Sequence, residues 1–187
     1  MNVYSGISEV RSARPTVCTV GAFDGVHLGH QQLIRATVAE ARAHRLHSAV
    51  ITFHPHPDVV LGKGDVMELT SIEAKTRLIE KLEVDSLIIM KFNRDTMQIT
   101  ADQFVRQMIK HLKMLSLWVG PDFALGNKRQ GNAAWLTERG HDFGFAVNVQ
   151  TPLLIDGLPV SSTRLRQAVQ AGDTALAERL SGRTWGF

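Results

Sequence analysis

Two histidines three residues apart, His27 and His30, sit inside the run Gly21-Ala22-Phe23-Asp24-Gly25-Val26-His27-Leu28-Gly29-His30. The run follows an apolar stretch, Val17 to Val20, that reads as a buried strand, and it leads into Gln31 to His44, which reads as a helix. A glycine-punctuated turn from strand to helix gathers backbone N–H groups beside a helix N-terminus, a combination that attracts phosphate. With the helix starting near them, both imidazoles project to one side. Their N–H groups can then donate to the phosphate oxygens of a nucleotide. The turn is neither the dinucleotide fingerprint nor a Walker A loop. Taken alone, the pair also fits a zinc site or a helix start with no ligand.

A second constellation, Ser161-Ser162-Thr163-Arg164-Leu165-Arg166, opens another predicted helix. Leu165, Ala168 and Val169 form its apolar stripe and Gly172 stops it. The hydroxyl residues supply an N-cap. Two arginines in the first turn oppose the helix dipole, and an anionic ligand would remove that conflict. Arg164 can hold phosphate oxygens with both arms of its guanidinium. The alternative is an ordinary cap with solvated arginines. A third segment, Phe53-His54-Pro55-His56-Pro57, is stiffened by its prolines and carries an aromatic wall suited to a flat heteroaromatic ligand. His54 and His56 with His27 and His30 would also make a zinc-like set of four, although no carboxylate or thiolate accompanies them.

The elements needed to position these residues alternate strand and helix. Ser48 to Phe53, Val84 to Met90, Leu115 to Val119 and Phe145 to Val149 read as strands. Thr70-x-x-Glu73 reads as a capping box opening a helix through Leu82. Thr100-x-x-Gln103 opens another helix, whose Phe104, Val105, Met108, Ile109 and Leu112 recur at helical spacing. A short helix is expected near Ala133 to Arg139, and Gly62-Lys63-Gly64-Asp65 marks a mobile loop. Such alternation implies an α/β fold: a parallel sheet with helices on both faces and ligands outside the carboxyl ends of the strands. The His27 turn, the His54 segment and a loop at Gly120 all fall at such ends.

With 187 residues, 44% of them hydrophobic, the chain supports one well-buried core. A formal charge of +3 does not require a nucleic-acid partner; anionic nucleotides suffice. Cys18 is the single cysteine, which excludes a disulfide framework and fits a reducing compartment. No signal peptide or bilayer-long apolar run is evident, so a cytoplasmic protein acting on small molecules is expected, with no membrane partner and no assigned oligomeric state.

Four ordered blocks, the Gly21–His30 turn, Thr52 to Pro57, Gly120-Pro121-Asp122-Phe123-Ala124-Leu125-Gly126 and Ser161 to Arg166, together resemble the nucleotidyltransferases with an early HxGH dyad and a late SSTxxR motif. The resemblance is closer still to the FAD synthetase module of bacterial bifunctional riboflavin kinase/FMN adenylyltransferases. It implies a Rossmann-like nucleotidyltransferase fold and transfer of AMP from MgATP to FMN, giving FAD and pyrophosphate. It implies that His27, His30 and Arg164 serve the phosphates. Gly21, Ala22, Phe23, Asp24, Gly29, Ser161, Ser162 and Thr163 would form the ATP side, with Asp24 favoured as a support of the turn over a contact to ribose or magnesium. Phe53, His54, Pro55, His56, Pro57, Asn93, Asp122, Phe123 and Leu125 would form the flavin side. Mg²⁺ would enter with ATP, held mostly by phosphates, with no metal site on the protein.

The chain departs from the family pattern at Ala124 and Leu125, where relatives carry a basic residue and an aromatic one. Weaker flavin stacking is the expected consequence, and Lys128 and Arg129 are candidates to restore charge or to stay solvated. Leu180-Ser181-Gly182-Arg183 is followed only by Thr184 to Phe187, so a single adenylyltransferase domain over 1–187, without a kinase module, is expected. Two alternatives stand beside this reading: a related nucleotidyltransferase acting on another phosphate substrate, and a non-catalytic flavin or nucleotide binder.

Overall fold

The computed structural model describes residues 1–62 and 67–185; of the loop expected at Gly62 to Asp65, all but Gly62 lies outside the described residues. Ten strands are described: β1 Asn2–Tyr4, β2 Thr16–Val20, β3 His47–His54, β4 Ser86–Lys91, β5 Met114–Val119, β6 Ala124–Leu125, β7 Gly131–Asn132, β8 Ala146–Val149, β9 Leu154–Ile155 and β10 Leu158–Pro159. The α-helices among them are α1 Leu28–Ala43, α2 Pro57–Val60, α3 Ile72–Glu80, α4 Arg94–Met97, α5 Ala101–Leu112, α6 Ala133–Phe143, α7 Ser162–Gln170 and α8 Thr174–Ser181.

Six strands form one sheet in the order β1-β4-β3-β2-β5-β8. Every pairing within it is parallel. The apolar runs read from the sequence are its inner strands, and alternate residues feed opposite faces. Cys18, Val20, Ala49, Ile51 and Ile88 meet α5 and α6 on one face. Val50 and Leu87 meet α1 and α3 residues such as Ile34, Val38 and Ile79 on the other. A strand covered on both faces has no solvent side, so its residues are apolar or, like Thr19 and Thr52, donate their hydroxyls to backbone carbonyls, and the runs show no alternation of polarity. Cys18 is fully buried, and burial pushes its thiol pKa up, so it behaves as a small core residue.

From β2 the chain steps outward through α1 to β3 and through α3 to β4. It then returns through α5 to β5, on the opposite side of β2. Loops leaving β2 and β5 therefore diverge, and a crevice opens above the carboxyl ends of the two strands. Gly21 and Gly120 stand at those ends.

One predicted cap differs. The N-cap of α3 is Ser71, whose hydroxyl accepts from the Ala74 N–H, and not Thr70. The Thr70 hydroxyl is occupied by the His27 turn: it accepts from the Gly25 N–H at 3.1 Å and donates to Asp24 at 3.3 Å. The capping box at Thr100 and Gln103 forms as read. The β9–β10 hairpin, the β6–β7 pair, α8 and the edge strand β1 are further elements beyond the sequence reading.

Candidate active site

The turn between β2 and α1 is held from below. Phe23, Gly25 and Val26 all have positive φ, at 48°, 77° and 38°. For Val26, a β-branched residue, that conformation is strained and persists only where surroundings enforce it. The enforcement is visible: Val26 is 1% exposed and its carbonyl accepts from the Gln31 amide at 2.9 Å. Gly25 has no substitute, because a Cβ there would stand 2.9 Å from Leu69 Cδ1 and 3.0 Å from Leu165 Cδ2.

Asp24 is the keystone of this support. Its side chain is 1% exposed. The carboxylate accepts from the Leu69 and Thr70 N–H groups at 3.0–3.1 Å and from Arg166 at 2.8 Å. Its acceptors are thus spent inside the protein. The carboxylate is absent from the cavity wall and holds the turn from below. Ala22 likewise turns inward, its carbonyl accepting from Lys75 Nζ at 2.8 Å and from the Thr52 hydroxyl at 3.0 Å. Lys75, buried on α3, and Arg166 were not assigned from the sequence. Arg166 stands at the arginine position of the SSTxxR spacing, two residues past Arg164. A helical position whose neighbours are apolar was the one available signal for Lys75.

The two imidazoles do come together. His27 is the N-cap of α1, and the rings of His27 and His30 stack with centroids 3.6 Å apart at 19°. The edge of Phe23 closes on His30 at 5.1 Å. His27 Nδ1 accepts from the His30 N–H at 3.3 Å, so the proton of the neutral ring belongs on Nε2, free to donate. Burial holds the His27 pKa down to about 4, with Asp24 pulling upward and Arg183 and Arg166 pushing further down. Burial, then the charges of His27, Lys75 and Arg166, hold His30 well below the ordinary imidazole value. Both rings are neutral donors at pH 7, which lets them stack without repulsion. His30 Nδ1 is buried and has no hydrogen-bond partner among the described residues.

These rings line a cavity of about 300 Å³ above β2 and β5. Gly21, Phe23, Gly29, Asp122, Phe123 and Ser161 line it with them. A second cavity of about 350 Å³ is walled by Phe53, Pro57, Phe92, Phe104, Phe123 and Leu125. Val20 and Phe123 face both, so the two cavities share a wall.

Several expected residues are placed elsewhere. His54 and Pro55 are exposed and line neither cavity. His56 is buried as the N-cap of α2, its Nδ1 accepting from the Asp58 N–H. Asn93 spends its side-chain oxygen capping α4. Ser162 donates to the Asp24 carbonyl at 3.0 Å, and Thr163 is exposed. Arg164 turns away from the first cavity: one amino group donates to the carbonyls of Ile155 at 2.8 Å and Leu158 at 3.1 Å. Helix caps and loop carbonyls compete for the same polar groups that ligands use, and spacing alone does not show which wins. Leu125 does line the second cavity, but it is also 6% exposed and wedged against Ala101 and Gly131. Lys128 lines that cavity; Arg129 does too and donates to the Asp122 carbonyl at 2.9 Å. Among the described residues, no group of three or more His, Cys, Asp or Glu could hold a metal ion.

A family model described as FAD synthetase matches residues 9–164. The chain belongs to the FAD synthetase family. A bifunctional riboflavin kinase/FMN adenylyltransferase from Haemophilus influenzae is 38% identical over 169 residues, covering 89% of this chain and 55% of that one. The protein of the same name from Escherichia coli K12 is 33% identical over 186 residues, covering 97% and 59%. The chain thus spans little more than half the length of these curated relatives. Among solved structures, a macrolide-efflux protein from Streptococcus pneumoniae superposes with a TM-score of 0.84 at 25% identity, covering 97% of this chain and 61% of that one. Pantoate-beta-alanine ligase from Francisella tularensis, at 14% identity and a TM-score of 0.57 over 94% of this chain and 79% of that one, shares the Rossmann-like fold alone. No helix among the described residues is long and apolar enough to cross a membrane.

Proposed function

We propose that this member of the FAD synthetase family transfers the AMP moiety of MgATP to FMN. One observation carries the reading: two adjoining cavities share Val20 and Phe123, one beside the α1 N-terminus and its neutral histidine pair, the other walled by aromatic rings. The first suits a nucleotide and the second a flavin, and a common wall is what reaction between two bound molecules requires. A phosphate oxygen of FMN attacks the α-phosphorus of ATP in line. The new P–O bond forms as the bond to the β-phosphate oxygen breaks, and pyrophosphate leaves.

The chain contributes position and hydrogen-bond donors. His27 Nε2–H and the ring of His30 donate to the phosphates, the α1 N-terminus adds its dipole, and Gly21 and Gly29 let the nucleotide approach the backbone. Asp24 and Lys75 fix the turn that carries them. Since the Asp24 carboxylate is spent on Leu69, Thr70 and Arg166, magnesium enters as part of the substrate, held by its phosphates. The test is incubation of the purified chain with FMN and MgATP, with riboflavin as control. Formation of FAD and pyrophosphate from FMN with MgATP, and no product from riboflavin, is expected. Binding of both ligands without product would overturn the catalytic reading.

A further inference from the structure

The side chain of Arg164 is 15% exposed, and it is committed to the β9–β10 hairpin. This hairpin is minimal: Ile155 pairs with Leu158 and Leu154 with Pro159, around a two-residue turn at Asp156 and Gly157 with φ of 56° and 73°. Two strands of this length do not hold a position by themselves. Packing fixes only part of it, because Leu154 and Leu158 are 54% and 56% exposed, while Leu153 and Ile155 rest on the α7–α8 cluster. Polar ties supply the rest. One Arg164 amino group bridges the Ile155 and Leu158 carbonyls, one on each strand, and the other lies 3.6 Å from the Asp156 carboxylate. Asp156 is gripped in turn by Arg179 of α8 at 2.6 Å. The hairpin matters to the site because Leu153, Pro159 and Val160 are walls of the first cavity.

We infer that Arg164 is a positioning residue for the nucleotide: it clamps the β9–β10 hairpin to α7 and so fixes one wall of the ATP cavity, with Asp156 and Arg179 as the outer half of the clamp. The inference rests on the proposed use of that cavity for ATP. It explains why an arginine is tolerated in the first turn of α7. Charge-assisted hydrogen bonds to two carbonyls offset the unfavourable dipole without any anion. The planar fork also sends one amino group to both strands while the other faces the Asp156 carboxylate, a two-sided reach that a single lysine nitrogen lacks.

Arg164→Ala, Arg164→Lys and Arg179→Ala decide it in the full chain. The readouts are ATP affinity by calorimetry without FMN, steady-state kinetics for each substrate, and amide exchange over residues 153–160. Arg164→Ala should weaken ATP binding and raise KM for ATP about tenfold, the scale of one or two charge-assisted hydrogen bonds, with kcat changed less than about threefold and KM for FMN unchanged. Exchange over 153–160 should quicken without nucleotide. Arg164→Lys should be intermediate, and Arg179→Ala should reproduce the pattern in weaker form. A fall in kcat at unchanged ATP affinity would place Arg164 on the reacting phosphates and sink the inference. Unchanged exchange over 153–160 in Arg164→Lys and Arg164→Ala would sink it as well. Calorimetry and exchange need no turnover, so they decide the clamp even where the wild type makes no FAD, the separate result that overturns the parent reading.

Discussion

His27→Asn tests the neutral state of the dyad. An asparagine oxygen can replace Nδ1 as acceptor for the His30 N–H at the α1 cap, so the helix start is kept while the titrating ring is lost. In the wild type the folded His27 pKa is about 4 against an ordinary 6.5, because burial disfavours its charged form. As pH falls below 6.5 the unfolded chain takes up the proton before the folded one does. The stability contributed by a neutral His27 is therefore complete above 6.5 and is lost as pH falls toward 4. At about 1.36 kcal/mol per pH unit, integration from near pH 7.5 to near pH 4.5 gives a loss of about 2.5 kcal/mol from this residue. His47 and His56 are shifted in the same direction and add their own losses to both proteins, while His30, held down partly by the charge of His27, loses no more in the variant than in the wild type. The measurement is urea unfolding at the two pH values, and the quantity is the difference between variants. His27→Asn should lose about 2.5 kcal/mol less than wild type. Equal losses would show that His27 is not held neutral by burial, and the argument for a neutral donor pair would fall with it.

His30→Ala removes a donor aimed at the phosphates and should lower FMN-dependent turnover roughly a hundred- to a thousandfold with ATP affinity less affected; near-normal turnover would remove the dyad from the mechanism. Asp24→Asn leaves Arg166 without its buried partner and should cost about 3 kcal/mol in chemical denaturation, whereas a cost below about 1 kcal/mol would contradict the keystone role. Gly126→Ala should destabilise by well over 1 kcal/mol, since φ there is 78° and a Cβ would stand 2.4 Å from the Ala101 nitrogen; thermal melting checks this, and an unchanged midpoint would refute the packing of that loop on α5.

Much of the protein was legible in its sequence because the signals were local. Apolar runs such as Val17 to Val20 and Leu87 to Ile89 are strands buried on both faces, and no other placement satisfies that many adjacent apolar side chains. The capping box at Thr100, the stripe of α5 and the glycine-bounded turn at Gly21 to His30 depend on residues a few positions apart. The alternation of strand and helix then implied a parallel sheet and the rim that carries the candidate site. The β9–β10 hairpin also had a local sign, Asp156-Gly157 between apolar pairs, favourable to a two-residue turn. What only the tertiary structure decided was the partner of each polar side chain. Thr70 could cap α3 or serve Asp24, Asn93 could touch a ligand or cap α4, and Arg164 could hold phosphate or two carbonyls of a hairpin. A hydroxyl, amide or guanidinium has the same donors in either role. The choice turns on which acceptors, often tens of residues distant, the packed core brings within about 3 Å, and spacing along the chain carries no record of that distance.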